Sequence, residues 1–350
     1  MNFSAPITPF MQLPQRQFLS GNELLFAEFF NGVEFFSSGR DALLRALKLS
    51  VCEKSKIFIP NYFCPWITKS VRTLYPQKIV LYSDIPSQNA PDFSSLKANA
   101  NDIVIAVNFF GTRNMQVWAD WKRANSGVIL VGDFSHCPFA NQVRDDIFDY
   151  SFASLRKTLP LCDGGYLWSK NSKPNQMFAN HGEVSEFASN YALAAMLADV
   201  DYRKAEDFYY NAEMRLNAKR NISRISFYSK QALQSLDFHL LWEARKRVFV
   251  AFENALIKNN AYRLLKNEAI FNSDKFSIFC PTLYFDNVAL RDFAYARLGE
   301  AGVLASVYWS AKFLETAEAK AEASKMMTIS VDFRHSEADA IKLAEILNKI

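Results

Sequence analysis

Ser151-Phe-Ala-Ser-Leu-Arg-Lys157-Thr-Leu-Pro-Leu-Cys-Asp-Gly164-Gly165 is the stretch on which the reading of this chain turns. A lysine closes a short segment after an apolar strand. A hydroxyl stands three residues ahead of it, at Ser154, and a Gly-Gly pair leads into another apolar strand, Tyr166-Leu-Trp168. Alone, a lysine in a turn is ordinary surface chemistry. It gains meaning from Asp133, which ends the apolar run Gly127-Val-Ile-Leu-Val-Gly132 some two dozen residues earlier. An acid leaving one buried strand and an amine leaving the next would share one edge of a parallel sheet, where ligands of open α/β sheets bind.

Upstream of this stretch, strands and helices alternate. Glu23-Leu-Leu-Phe-Ala-Glu-Phe-Phe30 reads as a short helix and Val33-Glu-Phe-Phe36 as an apolar segment after it. Ser37-Ser-Gly-Arg40 opens a helix whose Leu43, Leu44 and Leu47 fall at helical spacing. The free amides of that helix start could bind an anion, or Ser38 could be an ordinary cap. Lys56–Pro60, Lys78–Tyr82 and Ile103–Val107 read as strands, with a helix after Asn61-Tyr-Phe-Cys-Pro65 and another over Gln116–Lys122. Four to six β-branched or aliphatic residues per strand, with helical spacers, predict a mainly parallel sheet covered on both faces.

Downstream, residues 183–220 have a helical pattern, and a long helix is expected over Lys230–Ile257. Its core-facing candidates are Leu233, Leu236, Leu240 and Val248, with Trp242 as a further apolar residue. From Phe276 the pattern is that of a small α+β unit, with strands at Ile278–Cys280, Leu283–Phe285, Val303–Val307 and Met327–Val331 and a helix over Arg291–Ala301. Ser336, followed three residues later by Asp339, predicts a capping-box start for the last helix. These elements divide the chain into a large domain over residues 1–240 and a small C-terminal domain over 241–350, with no linker to mark the boundary.

Composition sets the outer limits. At 350 residues, half of them apolar and 22% charged, the chain can bury a sizeable core. A net charge of +4, with basic residues spread along the chain, gives no case for nucleic acid. Five scattered cysteines (52, 64, 137, 162 and 280) without a Cys-x-x-Cys pair argue against a disulfide framework and a zinc site. The N-terminus lacks the basic-then-apolar pattern of a signal peptide, and no apolar run reaches the roughly 20 residues a membrane span needs. The expectation is a soluble, cytoplasmic protein with no nucleic-acid or membrane partner.

An Asp leaving a buried strand, then Ser-x-x-Lys, then Gly-Gly, is the layout of a pyridoxal 5'-phosphate (PLP) site. There a lysine amine condenses with the cofactor aldehyde, an Asp pairs with the protonated pyridine nitrogen, and hydroxyls and helix-start amides hold the phosphate. Read in order, the chain resembles the DegT-type nucleotide-sugar aminotransferases, which have the aspartate aminotransferase fold, PLP fold type I. Ser38-Gly39-Arg40-Asp41-Ala42-Leu43 resembles that family's Ser-Gly-Thr-x-Ala-Leu phosphate loop. Pro60-Asn-Tyr-Phe-Cys64 resembles the segment lying over the cofactor ring. Asn108-Phe-Phe-Gly111 resembles a strand-and-glycine element, and Asp133-Phe-Ser-His136 resembles Asp-Ala-Ala-Gln. Ser154-Leu-Arg-Lys157 and Gly164-Gly165 follow, then Gly302–Trp309 and Val331-Asp-Phe-Arg334 in the small domain.

The chain also departs from that pattern. Arg40 replaces a small hydroxyl residue; it could add charge to phosphate binding or point to solvent. Cys64 stands where an aromatic ring stacks on the cofactor, so Phe63 or Tyr62 could cover it instead. His136 replaces Gln, and its imidazole could meet the cofactor's phenolic oxygen or be a structural histidine. The phosphate-binding serine is matched only approximately, by Ser154 or Ser151. Arg156 and Arg334 are candidates for anionic substrate groups, with structural roles as the alternative.

The resemblance implies PLP as cofactor, held by Ser38, Gly39, Arg40, Phe63, Cys64, Asp133, His136, Ser154 and Lys157, with Lys157 and Asp133 catalytic. It implies transfer of an amino group from an amino-acid donor such as glutamate to a keto-sugar nucleotide or similar keto acceptor through a Lys157 Schiff base, in a homodimer serving polysaccharide biosynthesis. Other reaction types on the same fold, and a non-catalytic binding protein, are the alternatives.

Overall fold

The computed structural model describes residues 29–144, 146–171, 182–198, 200–257, 261–266 and 278–350, together with Phe3, Phe18, Leu19 and Phe26. Its centre is a seven-stranded sheet. In chain order the strands are β1 (Val33–Phe36), β2 (Ile57–Pro60), β3 (Ile79–Tyr82), β4 (Ile103–Val107), β5 (Ile129–Asp133), β6 (Tyr150–Ser154) and β7 (Gly165–Ser169), arranged β1-β7-β6-β5-β4-β2-β3. Neighbours from β6 across to β3 are parallel, whereas β7 runs antiparallel to both β6 and β1. β1 therefore points the same way as β6. The carboxyl ends of β1, β2, β4, β5 and β6 all open on one edge.

Alternation along the strands explains why both faces are covered. Val104, Ala106 and Leu130 join one buried cluster, with Phe35 and Trp118. Ile103, Ile105 and Val131 join the other, with Leu43 and Leu47 of α1 (Gly39–Ser50). Along the chain there follow α2 (Pro65–Leu74), α3 (Trp118–Ala124), α4 (Glu186–Leu197), α5 (Tyr202–Ala218) and α6 (Phe227–Ser235). Of the expected helix Glu23–Phe30, Phe26, Phe29 and Phe30 are helical and the rest lies outside the described residues.

The expected continuous helix Lys230–Ile257 is two helices, α6 and α7 (Phe238–Ala255). Asp237 breaks them apart: its side chain accepts from Leu240 N–H at 3.0 Å and starts a new helix in a new rotational phase. That phase turns Leu240 outward, at 49% exposed, and puts Leu241 into the core. Leu233, Leu236, Val248 and Trp242 are buried as expected.

The small sheet is antiparallel, ordered β10-β11-β9-β8, from β8 (Tyr262–Leu264), β9 (Thr282–Phe285), β10 (Ala305–Ser306) and β11 (Met326–Ile329). Helices α8 (Val288–Glu300), α9 (Ala317–Lys325) and α10 (Glu337–Leu347) complete it. Ile278–Cys280 is not a strand. Its Phe279 N–H instead donates to Phe110 O at 2.8 Å, docking the segment onto the turn after β4. The capping box at Ser336 and Asp339 is present, with bonds of 2.9 and 3.2 Å. Among the described residues no helix is long and apolar enough to cross a membrane.

Candidate functional site

The ends of β1, β2, β5 and β6 converge on a cleft of about 500 Å³. After β1, Ser38 caps α1, its Oγ accepting from Asp41 N–H at 3.1 Å, and Ser38, Gly39 and Arg40 at the helix start form one wall of the cleft. The helix start sits hard against the strands beside it. A Cβ on Gly39 would lie 3.0 Å from Ser154 N, and one on Gly165 would lie 2.3 Å from the Ser38 carbonyl carbon. These two glycines are what allow α1 to begin directly over the ends of β6 and β7.

After β6 the chain turns, placing Ser154, Arg156 and Lys157 on the cleft. Ser151 lies three residues before Ser154 and so points through the opposite face of the sheet. It is fully buried and its Oγ has no hydrogen-bond partner. Of the two candidate hydroxyls, the cleft wall has Ser154.

β5 ends in Asp133, buried, its Oδ1 accepting from Ser135 N–H at 2.8 Å. Burial raises its carboxyl above the ordinary range, opposed by the Ser135 bond and by the charge of Lys157. Burial likewise pulls the Lys157 ammonium below the ordinary lysine range, while Cys64 and Asp133 work to hold it up. His136 Nε2 lies 3.3 Å from Lys157 Nζ. Burial, then Lys157, drives the His136 pKa well below that of a free imidazole.

The remaining candidates are distributed as follows. Cys64 lines the cleft, and burial raises its thiol. Phe63 and Tyr62 do not share that wall: both are packed into the core below it, and Tyr62 meets Phe109 and Trp309 edge-on or tilted. Trp66, Ile67, Tyr308 and Trp309 are the apolar groups that do line the cleft on that side. Arg40 lines the cleft but does not point to solvent. Its Nη1 donates to Leu216 O at 2.7 Å and its Nη2 to Asn217 Oδ1 at 2.5 Å, which ties α1 to the end of α5. Its Nε is buried and unpartnered.

The structure adds residues that the sequence did not single out. Glu213, on α5, accepts from Arg156 Nη2 at 3.0 Å and from the Tyr191 hydroxyl, and the Arg156 guanidinium lies 4.1 Å from the Tyr191 ring centre. Tyr191 and Glu213 sit within α4 and α5 with no recognisable motif around either, so no local pattern marks them. Arg334 also lines the cleft, where it forms a two-pronged pair with Asp332 at 2.8 and 3.0 Å and donates to Ser330 O at 3.4 Å. Among the described residues no group of three or more His, Cys, Asp or Glu side chains could hold a metal ion.

By sequence the chain matches no family model and no curated protein. By structure it matches solved aminotransferases along nearly its whole length. One is Spr1654 of Streptococcus pneumoniae, described as a sugar aminotransferase. Its apo form superposes at a TM-score of 0.67 with 13% identity over 98% of this chain and 97% of that one, and a PLP form at 0.66. A DegT/DnrJ/EryC1/StrS aminotransferase from Brucella abortus matches at 0.60 with 17% identity over 95% and 91%. DesI, solved in the presence of its TDP-sugar product, matches at 0.65 with 12% identity over 98% and 92%. At such identities the likeness is one of fold: a large, mostly parallel sheet flanked by helices with a small antiparallel sheet, PLP fold type I, is the architecture of this chain.

Proposed function

We propose that this chain is a PLP-dependent aminotransferase of the DegT type, moving an amino group from an amino-acid donor, glutamate first among those to test, to a keto-sugar nucleotide or similar keto acceptor. One observation carries the reading. Lys157 and the start of α1 line one cleft at the carboxyl edge of a sheet whose fold is that of the aminotransferases above, and the buried Asp133 carboxyl lies near enough to act on the lysine's charge.

The residues present fit the cofactor. Ser38, Gly39 and Ser154 offer a hydroxyl-rich helix start, and the buried, unpartnered Nε of Arg40 on the same wall is a donor awaiting an acceptor. These four would hold the phosphate, and Asp133 would pair with the ring nitrogen. When bound, PLP supplies an aldehyde for an amine to attack and an electron-poor ring that stores the electron pair released from a substrate carbon.

The protein's own part is proton handling and orientation. Lys157 Nζ would hold the cofactor and, when free, would take the proton from the donor's α-carbon and deliver it onward. Asp133 stays close enough to balance positive charge at the base of the site. Arg156 is steadied on Tyr191 by Glu213 and lines the cleft, where it would meet an anionic group of the donor or acceptor.

The test is to mix the purified protein, PLP and glutamate and to measure 2-oxoglutarate and pyridoxamine phosphate formed in a single turnover. Wild type should release both. Lys157→Ala should lose the conversion by at least ~10²–10⁴-fold, the range expected for removing an acid–base group. Conversion unaffected by Lys157→Ala would end the assignment.

A further inference from the structure

Phe110 stands at φ 54° and ψ 15°, in the left-handed region that a bulky residue seldom enters, and Gly111 follows at φ 74°. Two successive left-handed residues turn the chain sharply after β4. The turn is held by Asn108, whose N–H donates to Asp133 O at 2.9 Å and whose Oδ1 accepts from Arg113 N–H at 3.0 Å. It aims the Phe110 N–H at His136 Nδ1, 3.3 Å away. The aromatic ring of Phe110 lies over the same imidazole, 5.2 Å between centres and 12° from parallel. The Phe279 ring is stacked on it too, at 4.7 Å and 13°. Two stacked rings thus fix the imidazole plane.

A backbone N–H can only donate. His136 Nδ1 must therefore be the bare nitrogen, which makes the ring neutral and puts its single proton on Nε2. Nε2 is the atom 3.3 Å from Lys157 Nζ. An N–H facing an amine needs that amine's lone pair, and an ammonium has none. The hydrogen bonds are mutually consistent only when Lys157 is the free base.

We propose that Phe110 is a positioning residue: its main-chain N–H fixes His136 as the neutral tautomer protonated on Nε2, and that N–H in turn donates to the Lys157 amine and keeps it unprotonated, ready to attack a carbonyl. This inference rests on the reading of Lys157 as the nucleophile, and it gives the Asn108–Gly111 turn a chemical task.

The experiment uses the cofactor-free full chain, so its outcome does not depend on whether PLP binds or glutamate reacts. Long-range 1H–15N spectra of protein labelled on its four histidines report the tautomer directly, with His136 assigned by its disappearance in His136→Gln. The expected pattern at neutral pH is that of an imidazole protonated on Nε2. A proton on Nδ1, or an imidazolium, is incompatible with donation from Phe110 and overturns the proposal. Acetic anhydride labelling read by mass spectrometry gives the second measurement. His136→Gln, whose amide can still donate, should leave Lys157 labelling at the wild-type rate. His136→Leu should lower it about five-fold, the worth of one ordinary hydrogen bond. Equal labelling in the Leu variant and wild type would show that the imidazole does nothing for the amine.

Discussion

A lysine amine in water is protonated at neutral pH and cannot act as a nucleophile. At Lys157 the surroundings oppose that state: burial disfavours the ammonium, while Cys64 and Asp133 only partly restore it. Asp133 is similarly poised, raised by burial and restrained by Ser135 and Lys157. Replacing Asp133 by Asn keeps the shape and removes the charge, so single-turnover conversion should fall by about 10²–10³-fold, as when a preorganised electrostatic partner is lost. A variant within a factor of two of wild type would contradict the assigned role. Asp332 makes a prediction about stability instead. Burial alone would raise its pKa, but Arg334, then His335 and Arg245, outweigh burial and lower it from 3.8 to about 2. A carboxylate depressed on folding stabilises the fold above its unfolded pKa. That contribution, roughly 2 kcal/mol, is lost as pH falls from about 4 to about 2. Urea midpoints should drop across that window in wild type and change less in Asp332→Asn. Lys157, Asp133 and Ser154 could be read from sequence because each ends or follows an apolar strand. Glu213 and Tyr191 could not, because what brings them to Arg156 is the packing of α4 against α5, far along the chain.

At the scale of elements, the site depends on α1 beginning flush against β6 and β7. Gly165 is the tightest point, since a Cβ there would sit 2.3 Å from the Ser38 carbonyl carbon and 2.4 Å from Gly39 N. Gly165→Ala must push the helix start away. It should cost about 1–3 kcal/mol in thermal stability and weaken PLP binding measured by fluorescence titration. An unchanged affinity would mean that the phosphate is held elsewhere. The strands were legible because four or five consecutive apolar residues between turn signals have few other uses in a chain this size. The break between α6 and α7 was not. Leu233, Leu236 and Leu240 keep helical spacing across it, and only the cap made by Asp237 shows that Leu236 ends one helix and Leu240 lies on the outer face of the next. Ile278–Cys280 misled for a related reason. Its apolar run is paid out in docking Phe279 against Phe110 and His136 rather than in pairing with a strand.

In the whole molecule, α7 serves two cores. Phe238 and Leu241 join the cluster under the large sheet, while Val248 and Phe252 join the one under the small sheet. A helix shared in this way leaves no compositional seam, which is why the sequence marks no sharp boundary. Glu318 and Glu322 on α9 bridge the same two parts, accepting from Asn61 Nδ2 at 2.5 Å and from Ser87 N–H at 2.7 Å. On α4 and α5, Met196 and Met214 are largely exposed. Taken with the homodimer implied by the family resemblance, light scattering should give twice the 40.0 kDa chain mass. A monomer that still converts PLP and glutamate would contradict that expectation.

The measurement that reaches the central claim most directly is borohydride reduction of the protein with PLP, followed by peptide mapping. The account predicts one stoichiometric pyridoxyl label, on Lys157, absent from Lys157→Ala and accompanied by loss of the visible absorbance that PLP gains on binding. A label spread over surface lysines, or none, would contradict it.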